Sequence, residues 1–224
     1  MKQTIVFSGI DNENAYRTAQ AFSKQSEYAV YVLHKEGERQ VPDGRIKVLE
    51  IAQRRQEALA DAMKCIETEA GGIVMLVLSA GRHCDVDGSI TDGHHYEELL
   101  AVIDENVVGT LEVVKAALEL MRRGKGKRIA LLTETASSIN LNQEERDYGY
   151  LMSLAALNMM EKVLFNTLRP EGFTFRCYAA DGESGMPAWA YLSGKLCYDK
   201  DDAYIHSEEN RIVMRNGMLC EIPW

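Results

Sequence analysis

Apolar positions along the chain alternate between short runs and long stripes of helical period, which predicts strands and crossover helices in turn. Thr4 to Phe7 is a short apolar run ending in Ser8-Gly9, and Asn12 to Ser26 then reads as a helix with Ala15, Ala19, Ala21 and Phe22 on its buried side. Tyr28 to Leu33 and Arg45 to Ile51 read as the second and third strands. Gln53 to Glu69 is the next helix, with Ala58, Leu59, Ala62 and Ile66 at helical spacing. Gly72 to Leu78 is apolar throughout, as a central parallel strand covered on both faces requires.

From His94 to Met121 the apolar residues keep close to a 3.6-residue period, and Asn106 falls on their inward face together with Val102, Val113 and Ala117. Ile129 to Thr133 is the fifth strand, a helix starting at Asp147 or Gly149 runs to about Leu168, and Phe173 to Ala180 is the sixth strand. Arg169-Pro170-Glu171-Gly172 stops that helix. Beyond a short apolar stretch, Ala188 to Leu192, the acidic segment Asp199 to Glu209 reads as a surface loop. Arg211 to Arg215 and Met218 to Ile222 read as two strand-like runs around an Asn216-Gly217 turn.

A length of 224 residues with 46% apolar content suits one α/β domain spanning residues 1–224. The net charge of -9 argues against nucleic acid as a partner, because that affinity comes mainly from Lys and Arg displacing counterions. The five cysteines, Cys65, Cys84, Cys177, Cys197 and Cys220, are widely spaced and contain no Cys-x-x-Cys pair, which favours reduced thiols over a disulfide framework. The amino terminus has no signal-peptide core and no apolar run reaches membrane-spanning length, so a soluble cytoplasmic protein is expected.

The loop from Arg82 to Gly88 is dense in polar groups. His83, Cys84, Asp85 and Asp87, with His94 and His95, are metal-ligand types, but their spacing fixes no four of them around one ion, so a solvated turn is expected and no metal. Thr133, Thr135, Ser137 and Ser138 place hydroxyls after the fifth strand. Tyr148 and Tyr150 open the helix that follows.

Three stretches, Asn106-Val-Val-Gly-Thr110, Lys127-Arg-Ile-Ala-Leu-Leu-Thr133 and Tyr150-Leu-Met-Ser-Leu-Ala-Ala-Leu-Asn158, resemble the short-chain dehydrogenase/reductase superfamily in order and spacing. The resemblance extends from Thr4 to Trp224. It implies a three-layer, doubly wound, Rossmann-like α/β fold around a central parallel sheet of about seven strands. It also implies NADP or NAD as cofactor, with Lys35 leaning towards NADP. Assembly as a dimer or tetramer through the helices Leu99 to Met121 and Tyr150 to Leu168 is implied too, as a homo-oligomer or beside a homologue. Tyr150 matches the family's catalytic tyrosine, Asn106 its helix-kinking asparagine, and Ser137 stands near its substrate-orienting serine, although direct alignment of that serine falls on Glu134. Ser8, Gly9, Lys35, Ser79 and Gly81 match cofactor-binding positions.

Several positions depart from the family pattern. Ser8-Gly9-Ile10-Asp11-Asn12-Glu13-Asn14-Ala15 keeps only the first glycine of Thr-Gly-x-x-x-Gly-x-Gly, and Asp11 and Glu13 bring negative charge to where a diphosphate would sit. The better reading of the same residues is a helix start capped by Asp11 or Asn12. The family lysine, four residues after the tyrosine, is Leu154 here, or Met152 if Tyr148 is the tyrosine, and Lys162 lies two further turns along. Asn106 is either part of a proton relay or a satisfied core amide. The expectation is a family scaffold for binding or assembly with weak or no redox turnover. The alternative is an NAD(P)-dependent oxidoreductase acting on a small carbonyl or alcohol, and a third reading is a non-redox enzyme using His83, Asp85 or Glu134.

Overall fold

Parallel strands need a crossover between neighbours, and the helices of this chain supply it. The computed structural model describes residues 2–35, 39–51, 55–83, 96–179, 187–193 and 212–224. In chain order its elements are β1 (Gln3–Ser8), α1 (Glu13–Ser23), β2 (Tyr28–Lys35), β3 (Ile46–Ile51), α2 (Arg55–Ala70) and β4 (Met75–Ser79). There follow α3 (Tyr96–Ile103), a π-helical turn (Asp104–Val108), α4 (Gly109–Arg123), β5 (Arg128–Thr133), α5 (Tyr148–Leu168) and β6 (Thr174–Ala179). The last are α6 (Ala188–Ser193), β7 (Met214–Asn216) and β8 (Glu221–Ile222).

The sheet order is β3-β2-β1-β4-β5-β6-β7-β8, parallel from β3 to β7, with β8 added antiparallel at the edge. This is the three-layer arrangement with seven parallel strands that the resemblance implies. Helices α2, α4 and α5 cover one face through Leu59, Val113 and Leu157, while α1 and α6 cover the other through Ala19, Phe22 and Leu192. Every residue of β4 is buried, in keeping with its central place. Strand order reverses between β1 and β4, so a crevice opens at their carboxyl ends, the position where open α/β sheets bind ligands.

Two boundaries shift for local reasons. Asn12 is the amino-terminal cap of α1, its Oδ1 accepting from the N–H groups of Asn14 (3.0 Å) and Ala15 (3.2 Å). Residues 72–74, read as strand, form the turn into β4, where the Ile73 N–H donates to Leu120 O at 3.0 Å. Cys65, Cys177 and Cys220 are free thiols; Cys84 and Cys197 lie outside the described residues. The acidic segment 199–209 also lies outside them, and no helix among the described residues is long and apolar enough to cross a membrane.

The long helical stripe is described from Tyr96, and its continuity is broken by the π-helical turn, which adds one residue to the winding at Asn106. The Asn106 side chain is buried and fully bonded. Its Oδ1 accepts from Gly81 N (3.4 Å) and Arg82 N (3.1 Å), while its Nδ2 donates to Arg82 O (2.8 Å) and Ser153 Oγ (2.9 Å). A second buried polar group lies further along α5. Glu161 is 1% exposed, and its carboxyl oxygens accept no hydrogen bond of good geometry among the described residues. Burial pushes its carboxyl up to about 8, against smaller opposing effects of the Cys177 thiol and the Arg176 guanidinium. Burial and the nearby carboxyl push the Cys177 thiol up as well.

Two outcomes follow from these buried groups. Asn106→Ala strands four polar groups and is expected to lower unfolding free energy by about 2–4 kcal/mol, read by urea denaturation. Glu161 is folded in its neutral form, with a folded pKa of about 8 above an unfolded value near 4.5. Its contribution is therefore fully present below about pH 4.5 and is lost as pH rises through about 8. Relative to Glu161→Gln, the natural chain should lose on the order of a few kcal/mol between pH 5 and pH 9. Parallel urea curves for the two proteins across that range would disprove this.

Candidate functional site

At the carboxyl edge of β1 the chain turns through Ser8 and Gly9. Gly9 has φ +83°, and a Cβ there would stand 2.1 Å from Ser79 O, so glycine is required for β1 and β4 to approach. Ser79 is buried, and its Oγ donates to the Gly9 carbonyl oxygen, closing the approach. Gly81 continues the same wall, where a Cβ would meet that of Asp11 at 3.2 Å. Ser8, Gly9, Ser79 and Gly81 are thus brought together at the switch point, and Lys35 ends the neighbouring strand β2.

The family's pyrophosphate would approach the first turn of α1. That turn is occupied by the chain's own groups. Asn12 takes the N–H groups of Asn14 and Ala15, and Asp11 Oδ1 accepts from Arg39 N at 2.7 Å. Glu13 pairs with Arg39 and, at 2.7 Å, with Arg17; these guanidinium groups hold its carboxyl below the usual carboxylate range. The like-charge conflict read for Glu13 is therefore largely neutralised, while the capped helix start remains. The residues present do not fit the usual pyrophosphate cradle, which needs bare N–H groups and glycine at the turn. Glu50, in β3, is bonded to the buried His34 Nδ1 at 2.8 Å.

The other end of the cleft is built on α5. Tyr150 is buried in the first turn of the helix, and its hydroxyl donates to Glu134 Oε1 at 3.1 Å. Glu134 follows β5 in extended conformation, where direct alignment puts the family serine. The His83 ring stacks on that of Tyr150, with centroids 3.8 Å apart and planes at 30°. His83 Nδ1 in turn meets Asp147 Oδ2 at 2.8 Å. Asp147 precedes α5 in the left-handed region, with φ 60°, and makes no side-chain capping bond to the helix, its carboxylate reaching His83 instead. Leu154, one turn beyond Tyr150, is buried in the apolar core.

Asn106 and Tyr150 are joined through one residue. Ser153 Oγ accepts from Asn106 Nδ2 and donates to Tyr150 O at 2.6 Å. The Asn106 carbonyl is itself taken by the Thr110 hydroxyl at 2.6 Å. Ser137 is not brought to this group: its hydroxyl faces the Met214 sulfur at 3.3 Å, and its carbonyl accepts from Asn158 Nδ2 at 3.2 Å. The short helical turn Thr135–Ser137 directs it across the outer flank of α5, and the acceptor beside the phenol is Glu134.

Of the metal-ligand types singled out from the sequence, His83 is described, whereas Cys84, Asp85, Asp87, His94 and His95 lie outside the described residues. Among the described residues no group of three or more such side chains converges. Chemically the cleft offers one phenol bound to a carboxylate and one imidazole bound to another. The sequence does not reveal the pairing of His83 with Asp147, since an aspartate directly before a helix ordinarily caps it.

Residues 9–180 match the family model described as enoyl-(acyl carrier protein) reductase. Among curated proteins, C-signal of Myxococcus xanthus is 37% identical over 78 residues, which is 35% of this chain and 47% of that protein. Estradiol 17-beta-dehydrogenase 1 of Rattus norvegicus is 32% identical over 100 residues, 45% of this chain and 28% of the relative. The matched stretches span under half the length of these relatives. Among solved structures, the carbonyl reductase Sniffer of D. melanogaster superposes with a TM-score of 0.71 at 19% identity, covering 100% of both chains. The NADPH-bound carbonyl reductase from chicken fatty liver gives 0.73 at 14% identity, covering 100% of this chain and 99% of the other. The extent of the family match and the sheet order together establish that the chain belongs to the short-chain dehydrogenase/reductase superfamily.

Proposed function

We propose that this chain uses the superfamily scaffold for binding and assembly, with weak or no hydride transfer. One observation carries the reading: buried Leu154 stands where the family lysine would be, while the Tyr150 hydroxyl is committed to the Glu134 carboxylate. An unassisted tyrosine titrates near 10, so only about a thousandth is ionised at pH 7, a deficit of roughly 4 kcal/mol. A lysine would offset much of that by favouring phenolate. A carboxylate opposes it, because ionising the phenol would set two anions face to face.

Assembly is supported by apolar side chains left in water on neighbouring helices. Met152, Met159 and Val163 form an exposed stripe on α5, and Leu100, Val108 and Leu111 another along α3, the π-helical turn and α4. A dimer or tetramer, of this chain alone or with a homologue, would cover them.

The second reading is an NAD(P)-dependent oxidoreductase acting on a small carbonyl or alcohol. It is favoured by the similarity to solved carbonyl reductases, one of them NADPH-bound, and by Lys35 at the end of β2 as a cation for an NADP phosphate. In that case Tyr150 acts as acid, Asn106 as a positioning residue, and Ser8, Gly9, Ser79 and Gly81 line the cofactor.

Calorimetric titration separates the two. Neither NADPH nor NADH should bind saturably up to about 1 mM; a dissociation constant below roughly 100 μM together with cofactor consumption on a carbonyl panel would establish the oxidoreductase. Light scattering at micromolar concentration should give at least a dimer, and Met159→Asp with Val163→Asp should shift it to monomer with unchanged helix content. A natural chain that is monomeric at that concentration, and without a homologous partner on co-expression, would remove the assembly reading.

A further inference from the structure

The π-helical turn that carries Asn106 is gripped from outside by an arginine of another helix. Within the turn the Gly109 N–H donates to Asp104 O, five residues back, where an α-helix would use a partner four back. The guanidinium of Arg55, the first residue of α2, meets that same carbonyl through Nη1 at 3.5 Å. Its Nη2 reaches the Asp104 carboxylate at 3.2 Å, and its Nε pairs with Glu112 Oε2 in the first turn of α4. Gln56 Nε2 adds a bond to the other Glu112 oxygen at 3.1 Å. At Gly109 a Cβ would stand 2.8 Å from Arg55 Nη1, so the guanidinium lies against bare backbone.

Helix geometry makes this set of contacts selective. Asp104 opens the π-helical turn and Glu112 follows it, eight positions later. At about 100° per residue, eight α-helical steps turn roughly 800°, which leaves the two carboxylates about 80° apart around the axis. When the turn absorbs one residue, the rotation falls to roughly 700° and the two side chains stand about 20° apart, on one face. One planar guanidinium can then serve both. The Arg55 side chain is 25% exposed and that of Glu112 21%, so this pair is partly shielded from solvent.

We propose that Arg55 is a positioning residue that selects the π-helical winding of this turn and, through it, the orientation of Asn106. An ion pair at the start of α2 thereby sets the strand exit at Gly81 and Arg82, which bond to Asn106 Oδ1. The influence is indirect, because the hydrogen bonds and ion pairs of Arg55 among the described residues end on Asp104 and Glu112. With the guanidinium lost, an all-α winding turns Asn106 by about 100° relative to α4, and its four hydrogen bonds cannot all be kept. Helix α2 and the floor of the cleft are in this way mechanically coupled.

Amide hydrogen exchange resolved by NMR reads the coupling at a distance from the substitution. Arg55→Met should speed exchange of the Gly81 and Arg82 N–H groups by about tenfold or more, compared with the natural chain at matched oligomeric mass and helix content. A purely local ion pair would speed exchange only around residues 55–60 and 104–112, and that pattern overturns the proposal. Deleting Val108, an exposed residue of the turn, removes the extra residue and lets an α-helix present Asp104, Asn106 and Glu112 in their present phase. In that background Arg55→Met should leave the Gly81 and Arg82 exchange unchanged; an effect as large as in the natural chain overturns the proposal. A separate arm needs no deletion: Asp104→Ala with Glu112→Ala leaves Arg55 in place and should speed the same two amides, and unchanged exchange there overturns the proposal too. Because the readout involves neither cofactor nor turnover, its failure leaves the proposed function of the cleft untouched.

Discussion

Four hydrogen bonds meet on the side chain of Asn106, and the shape of the cleft depends on them. They bind the backbone leaving β4 at Gly81 and Arg82, and they reach the first turns of α5 through Ser153. A buried amide must be satisfied, and this one can be satisfied only if the helix presents it at the right angle. In an α-helix one residue is about 100° of rotation, so the extra residue of the π-helical turn Asp104–Val108 changes which side chains face the sheet on either side of it. The turn and the amide are parts of one device, in which the helix is rewound to reach the strand and the strand exit is held in return.

The charges around Tyr150 and the first turn of α1 depart from the family pattern. Where a lysine would stand one turn after Tyr150 there is Leu154 in the core, and the phenol meets a carboxylate. Where a diphosphate would find bare N–H groups at the start of α1, Asn12 has taken two of them, and the neighbouring Asp11 accepts from the Arg39 N–H. The cations that remain nearby, Arg17 and Arg39, are spent on Glu13. Each change is small alone, and the proposal of weak or no hydride transfer rests on them together.

Helix α5 carries three environments around its circumference. Its inward face packs Leu154, Leu157 and Phe165 against the sheet, and its outward face leaves Met152 and Val163 in water. The flank between them, with Ala155 and Lys162, borders a hollow that Trp224 also lines. Glu161 lies on the inward face without a good acceptor geometry for its oxygens, and it is tolerated there because at neutral pH burial keeps its carboxyl protonated. A helix required only for packing would carry an apolar residue at that position, and nothing in the structure accounts for the choice of glutamate.

The sequence by itself determined the layers. Hydrophobic period is a local property, so β4, the cap at Asn12, the two long helices and the hairpin-like edge at Asn216 could be read within a residue or a few of their bounds. The identity of residues was likewise enough to see that Leu154 cannot carry charge and that the first turn lacks glycines. Tertiary structure decided which groups meet. Glu134 as partner of Tyr150, Asp147 turned from its helix to His83, Ser137 facing Met214 and the cavity beside Lys162 each join side chains from separate elements. No period or propensity encodes such meetings, because they depend on strand order and on the rotation of a helix over the sheet, and both are set by packing of the whole chain.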